Sequence, residues 1–395
     1  MNKLKIIIPI ALVGIISYVV IIHGSQKTLK QLFKSELDIL RNQYGFPGAT
    51  AAYVMPDGTV GVVATGLADV EAEVPMTPQS RMLAASIGKS FVAATVLALA
   101  KEDRLNLDDP VSKWLGERAW FSHVPNHSKI SIRHLLTHSS GLPDHVHTKR
   151  FVQSYSQNWH KPGNPFPPEE LVGFIQDQPA LFEAGRGWMY TDTGYILLGL
   201  IIEAVTGHSY YKEVEQRYLK PLHLALTEAS DSPALTGLAA GYTAKDNLFG
   251  LPSKTTVASG LMAWNPAVEW TGGGLISNSR DLAIWAKLLY EGHVMKADYL
   301  DDLLRSVPVG EEGSGIHYGA GVAICEKGSM GSTYGHYGVI PGYSSCVRYF
   351  PKYRVAIAFQ INTDIGVSDH STQLISDMER RLAEIVVAHV QHQCS

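Results

Sequence analysis

The stretch LAASIGKSFVAA, residues 83–94, carries two overlapping chemical signatures. Gly88-Lys89-Ser90 ends like a phosphate-binding loop, whereas Ser86-Ile87-Gly88-Lys89 is the S-x-x-K of a serine acyl-transferase. A phosphate loop needs a glycine five residues before Gly88, because its glycines let the backbone N–H groups curl around the phosphates. Leu83 stands there, so that reading fails. The G-x-S-x-G elbow of the α/β-hydrolases is absent from the chain. S-x-x-K alone is weak, and a second copy exists at Ser209-Tyr210-Tyr211-Lys212. Context separates the two. Ser86 follows an apolar stretch and opens an expected helix over 87–101 that is apolar nearly all round (Phe91, Val92, Val96, Leu97, Leu99), hence buried. Its N–H is then one of the unpaired donors of a helix N-terminus, and Lys89 lies on the same face. Burial disfavours an ammonium, so Lys89 is expected to titrate below about 10.4 and to take the Ser86 proton. Ser209, among polar residues, reads as surface.

Outward from this helix, the chain divides by pattern. Leu29, Leu32, Phe33, Leu37 and Leu40 have helical spacing, which Phe46-Pro47-Gly48 ends. Residues 49–54 and 60–64 flank Pro56-Asp57-Gly58 and read as a β-hairpin. From about 105 to 265 come short helices and proline-bearing loops, with one clear helix over 193–206 capped by Gly207. After Thr271-Gly272-Gly273-Gly274, a helix is expected over 279–291, closed by Gly292. Strand-like runs follow around 318–325, 343–349 and 354–361, then an amphipathic helix through Leu374, Met378, Leu382, Ile385 and Val386. Strands at both ends and helices between predict one sheet built from the two chain ends, with a helical lobe inserted. The expected sheet lobe is about 26–100 plus 266–395, and the helical lobe about 101–265.

The 395 residues are 45% hydrophobic and 18% charged, an ordinary globular balance. Lys plus Arg number 33 against 37 acids, a net charge of −4 that speaks against nucleic acid as a partner. Lys3 and Lys5 precede an apolar run, residues 6–22, which reads as an export signal or membrane anchor within 1–25; no A-x-A-like cleavage site follows, which favours the anchor. Either way the rest of the chain is expected outside the cytoplasm, at the membrane face or in a periplasm. Cys325 and Cys346 are candidates for a disulfide or for two buried thiols, and Cys394 lies in the tail.

Ser86-x-x-Lys89, Tyr190-Thr191-Asp192 and His336-Tyr337-Gly338, in that order, resemble the three motifs of the penicillin-recognising serine hydrolases. These include class C β-lactamases, DD-carboxypeptidases, D-aminopeptidases and related esterases. The resemblance covers about 30–390 and takes in IRHLLTHSSGLP (132–143), Gly273-Gly274-Leu275-Ile276-Ser277 with Arg280-Asp281-Leu282, and GHYGVIPGYSS (335–345). It implies an α+β fold of the β-lactamase/transpeptidase type: an antiparallel sheet flanked by helices plus an all-helical lobe, with the site between them. It also implies an acyl-enzyme hydrolase of a D-amino-acid peptide, amide or ester, with a small-molecule or peptide substrate, cell-wall fragments among them, and no cofactor. By resemblance Ser86 is the nucleophile, Lys89 its base, and Tyr190 a second proton carrier. The N–H groups of Ser86 and Val339 form the oxyanion hole, and Gly338 leaves room for substrate.

Two positions depart from the family pattern. Asp192 stands where asparagine is usual; a carboxylate cannot donate to a substrate carbonyl, would hold Lys89 as ammonium, and suits an amino-bearing substrate. His336 and Tyr337 replace the lysine and small hydroxyl residue of K-T-G, which weakens recognition of a β-lactam or a peptide carboxylate. H-Y-G also occurs at 317–319, but only the second copy precedes a Pro-Gly turn, so 336–338 is taken as the motif. The competing readings are a class C-like β-lactamase, a non-catalytic binding homologue, and a metallohydrolase using His134 and His138 at i,i+4 spacing; H-L-L-T-H lacks a glutamate base, so no metal site is expected.

Overall fold

The computed structural model describes residues 27–161, 166–311 and 313–393. The apolar run at 6–22 and Cys394 lie outside them. The first helix, Leu29–Tyr44, opens on a reciprocal cap in which Thr28 and Gln31 satisfy each other's backbone N–H. It closes on Gly45 at φ 70°. The hairpin follows as Gly48–Val54 and Val60–Asp69.

Gly48–Val54 then pairs antiparallel with Val355–Ile361, Ala49 facing Ile361, so the two ends of the chain meet in the middle of one sheet. Its nine strands run, edge to edge, Val74–Pro75, Val60–Asp69, Gly48–Val54, Val355–Ile361, Tyr343–Phe350, Thr333–Ile340, Ala323–Cys325, Ile316–Tyr318 and Val307–Pro308. The run expected at 318–325 is thus two short strands, broken where Gly321 adopts φ 67°. A full strand, Thr333–Ile340, fills the gap before Tyr343. Cys325 and Cys346 sit on non-adjacent strands and are both free thiols.

Helices cover both faces. Phe33, Leu37 and Leu40 of the first helix and Met378, Leu382 and Val386 of the last, Leu374–Gln393, close one face over Ile357 and Phe359. The other face carries helix Ser279–Tyr290, beyond which the inserted helices gather around Asp192–Thr206. Thr193 through Ile202 are all buried, as a helix without a polar face must be. Lys89–Lys101 packs against it. A second, three-stranded sheet joins Met82–Leu83, Leu275–Ser277 and Glu228–Ala229, and so ties the segment before Ser86 to the segment after the glycine run. The chain has an α+β fold, an antiparallel sheet flanked by helices with further helices inserted, as the motifs implied.

Trp285 locks the helix after Ser86 in place. Its ring stacks on Phe91 at 3.8 Å, and its Nε1–H donates to Ser90 Oγ at 2.8 Å, while Ser90 Oγ donates to the Ile87 carbonyl at 2.7 Å. Trp285→Ala should lower unfolding free energy by about 3–5 kcal/mol in urea titrations, as expected for deleting a buried indole.

Candidate active site

Ser86 sits in a short 3-10 turn, Ala85–Gly88, one step before the helix rather than inside it. Ala85 has φ 49°, a strained value for a residue with a side chain. From Arg81 to Leu99 every residue is buried except Ser86. The turn therefore lifts one hydroxyl out of an otherwise closed segment. Two glycines permit this. A β-carbon on Gly88 would lie 1.9 Å from the Gly273 carbonyl oxygen, and one on Gly273 would lie 2.6 Å from the Ala85 carbonyl carbon and oxygen. The glycine run after Trp270 and the nucleophile turn are packed backbone on backbone.

Lys89 has no exposed surface. Its Nζ donates to Ser86 Oγ at 3.1 Å and to the Gly272 carbonyl, and stands 2.5 Å from Asp192 Oδ1. Burial alone would lower its pKa, but the Asp192 charge with Tyr190 outweighs burial and holds the ammonium above its ordinary range. The lowering expected from burial alone is thus overturned, and the reason is the carboxylate at position 192, which was expected to hold the ammonium form. Asp192 opens helix Asp192–Thr206, where the positive end of the helix also favours a carboxylate. The Tyr190 hydroxyl is buried without a well-formed hydrogen bond. Burial raises its pKa above 10, and Lys89, 5.0 Å from the ring centre, pulls it back down in part.

Around this triad lies a box of aromatic rings. His138 packs on Tyr190 at 4.2 Å and on Tyr318 at 4.6 Å, and its Nδ1 accepts the Thr191 N–H. Burial pushes its pKa well down, so the ring is neutral. His138 lies beyond helix Ile132–Leu136 at φ 56°, whereas His134 caps that helix's start through the Ser131 N–H. The two histidines do not share a helical face.

Residues 27–379 match the model of the β-lactamase family. The chain belongs to that family. Penicillin-binding protein 4* of Bacillus subtilis (strain 168) is 27% identical over 312 residues, 76% of this chain but 64% of that protein, so the chain spans under two thirds of this relative. A D-stereospecific amidohydrolase from Streptomyces sp. superposes with a TM-score of 0.73 at 26% identity, covering 89% of this chain and 97% of that one. The D-amino acid amidase from Ochrobactrum anthropi SV3 shares the fold, with a TM-score of 0.75 at 24% identity over 93% and 99% of the two chains.

In this β-lactamase-family chain the third motif is placed differently from its expected use. His336 Nδ1–H donates to the Tyr337 carbonyl, so Nε2 accepts from the Tyr318 hydroxyl at 2.8 Å. Both nitrogens are spoken for, and burial pushes the ring down to about 3, so it cannot serve as a cationic anchor. Tyr337 points to the opposite face of the sheet, where its hydroxyl donates to Glu379 and Arg348 covers its ring at 4.8 Å. It is therefore turned away from the face on which His336 meets Tyr318. Arg348 is itself buried and paired with Glu379 at 2.9 Å, on the same far side. The space over Gly338 is filled by the Ala84 carbonyl and the Ser345 hydroxyl, each 2.4 Å from where a β-carbon would stand. That glycine serves the packing of the nucleophile turn on the strand, not room for substrate. Val339 follows it with a 40% exposed side chain.

Sequence reasoning missed Tyr318, Glu269 and Asp144. Tyr318 belongs to the H-Y-G copy that was set aside, and it reaches the site by holding His336. Asp144 directly follows IRHLLTHSSGLP and accepts the Asp192 backbone N–H; burial and the Asp192 charge push it up to about 7. No spacing rule marks Glu269. Ser209 is exposed and only caps helix Tyr210–Val214.

Gly88→Ala should cut turnover by about 100-fold with little change in secondary structure, because the added methyl must push Ser86 away from Lys89. Circular dichroism alongside an ester assay checks this.

Proposed function

We propose that the chain is an acyl-enzyme hydrolase of D-amino-acid amides, peptides or esters, working outside the cytoplasm behind its basic-then-apolar N-terminal run. The observation that carries this reading is the contact of Ser86 Oγ with a fully buried lysine ammonium at 3.1 Å, beside a buried tyrosine hydroxyl. The 26% identity to a D-stereospecific amidohydrolase supports the substrate class, as does the lack of a cationic third-motif residue.

Because Asp192 keeps Lys89 protonated, the lysine acts as a cation rather than as a base. Tyr190, in its phenolate form, takes the Ser86 proton as Oγ bonds to the carbonyl carbon and the carbonyl π electrons move onto oxygen. The N–H groups of Ser86 and Val339 receive that oxyanion. Tyr190 then gives the proton to the departing amine or alkoxide as its bond to carbon breaks. Water attacks the acyl-serine by the same route, returning the proton to Ser86. Lys89 stabilises the phenolate throughout.

A fluorophosphonate should label Ser86 and no other serine, Ser86→Ala should abolish turnover, and Ser209→Ala should leave it unchanged. A label elsewhere, or near-normal ester hydrolysis by Ser86→Ala, overturns the mechanism.

The pH dependence has a defined sign. Tyr190 titrates above 10, so the phenolate fraction and kcat/KM for an uncharged ester should rise with pH, about tenfold per unit, through the neutral range. Asp192→Asn removes the charge that raises Lys89 and leaves burial to lower it. A neutral lysine then becomes available as base, and the rising limb should move to lower pH. An unmoved limb would show that Asp192 does not set the protonation of the pair.

A further inference from the structure

Glu269 lies between the short turns Pro266–Val268 and Trp270–Gly272. Its backbone carbonyl accepts the Gly272 N–H at 2.7 Å, closing the turn whose Gly272 carbonyl binds Lys89. The side chain folds back along the same turn. Glu269 Oε1 is 2.1 Å from the point a Gly273 β-carbon would occupy, and the Ala85 carbonyl carbon is 2.6 Å from that point. The carboxyl is thus beside the peptide that leads into Ser86. Its Oε2 is buried and has no hydrogen-bond partner.

The charged groups acting on Glu269 are Lys89 and Asp192, and its own charge raises the phenols of Tyr155, Tyr210 and Tyr211, each raised chiefly by burial. Asp144, Asp192 and Glu269 therefore share the Lys89 ammonium. Burial, reinforced by Asp192, pushes Glu269 up to about 8 even though Lys89 pulls it down. A carboxyl in dry surroundings that lacks a cation of its own keeps its proton. A ligand that brought a cation would reverse this, since the ammonium could pair with the carboxylate.

We propose that Glu269, with Asp192 beside it, receives the protonated amine of the substrate, so that the enzyme selects amino-acid derivatives with a free amine over N-acylated ones. This rests on the hydrolase reading above and names its specificity-determining residue. On binding, the ammonium pairs with the Glu269 carboxylate from its partly exposed side and the Glu269 proton leaves to solvent; no bond of the substrate changes in this step. The partly exposed Asp192, already paired with Lys89 through Oδ1, adds a second negative charge on the same side.

The test compares D-alanine p-nitroanilide with N-acetyl-D-alanine p-nitroanilide on the full chain, its Glu269→Gln variant and its Glu269→Asp variant. The wild type should favour the free amine, and Glu269→Gln should lower that preference about 10- to 100-fold, through KM, as for loss of a charge-assisted hydrogen bond. Glu269→Asp should restore part of it. A Glu269→Gln effect equal on both compounds, or a wild type that prefers the acetylated one, overturns the proposal. Should Glu269→Gln not fold, wild-type protection carries the test: isopropylammonium should slow fluorophosphonate labelling of Ser86 and isopropanol should not, and equal protection overturns the proposal. Failure of the hydrolase reading looks different, since Ser86 would then take no label and neither anilide would turn over.

Discussion

An ammonium with no exposed surface needs a counter-charge, and in this chain Asp192 provides it at 2.5 Å from Lys89. Much of the site follows from that pair. The lysine is fixed as a cation, so it can orient Ser86 and lower the Tyr190 phenol but cannot accept a proton. The same positive charge acts on the two neighbouring histidines and, with burial, keeps them neutral. Neutral rings pack closely, and the His138 ring centre lies 4.2 Å from that of Tyr190 and 4.6 Å from that of Tyr318. Three carboxyls around one ammonium leave negative charge in surplus, which the site holds as protons on Asp144 and Glu269.

The pair in turn depends on backbone contacts made without side chains. Gly88 against Gly273, and Gly338 against Ala84, let the nucleophile turn sink between the glycine run and strand Thr333–Ile340. Ser345 Oγ fastens the turn from the next strand by donating to the Ala84 carbonyl at 2.7 Å. Ala85 at φ 49° takes up the resulting strain. The three-stranded sheet through Met82–Leu83 and Leu275–Ser277 holds the two backbones at this spacing. Geometry at Ser86 is thus set by residues distant in sequence and short in side chain.

The layout of elements and the buried setting of Ser86 were legible because they depend on local, periodic signals, while the fold type and the nucleophile's role came from the resemblance of the motifs to a family. Helical spacing at Leu29–Leu40 and the alternation around Pro56-Asp57-Gly58 placed the first helix and hairpin, and both occur. The apolar helix after Ser86 is as buried as its composition required. The stretch around 318–325 was harder, because two three-residue strands joined by glycines look like one run. Side-chain direction was harder again. Tyr337 and His336 are neighbours in a motif, yet one faces Glu379 on the outer helix and the other faces Tyr318 in the site.

By itself the sequence determined the sheet-and-helix layout and the choice of Ser86, with Lys89 three residues on, over Ser209. These follow from residue type and spacing over a few turns of chain; the place of Tyr190 beside them came from the resemblance of the three motifs to a family. Only the tertiary structure decided whether burial or Asp192 prevails at Lys89, the placing of Tyr337 and Arg348 on the far face, and the presence of Tyr318, Asp144 and Glu269 at the site. Those depend on which charges burial brings within a few ångströms of one another. Asp192 and Glu269 are 77 residues apart along the chain, and their charges meet across Lys89 once it is folded.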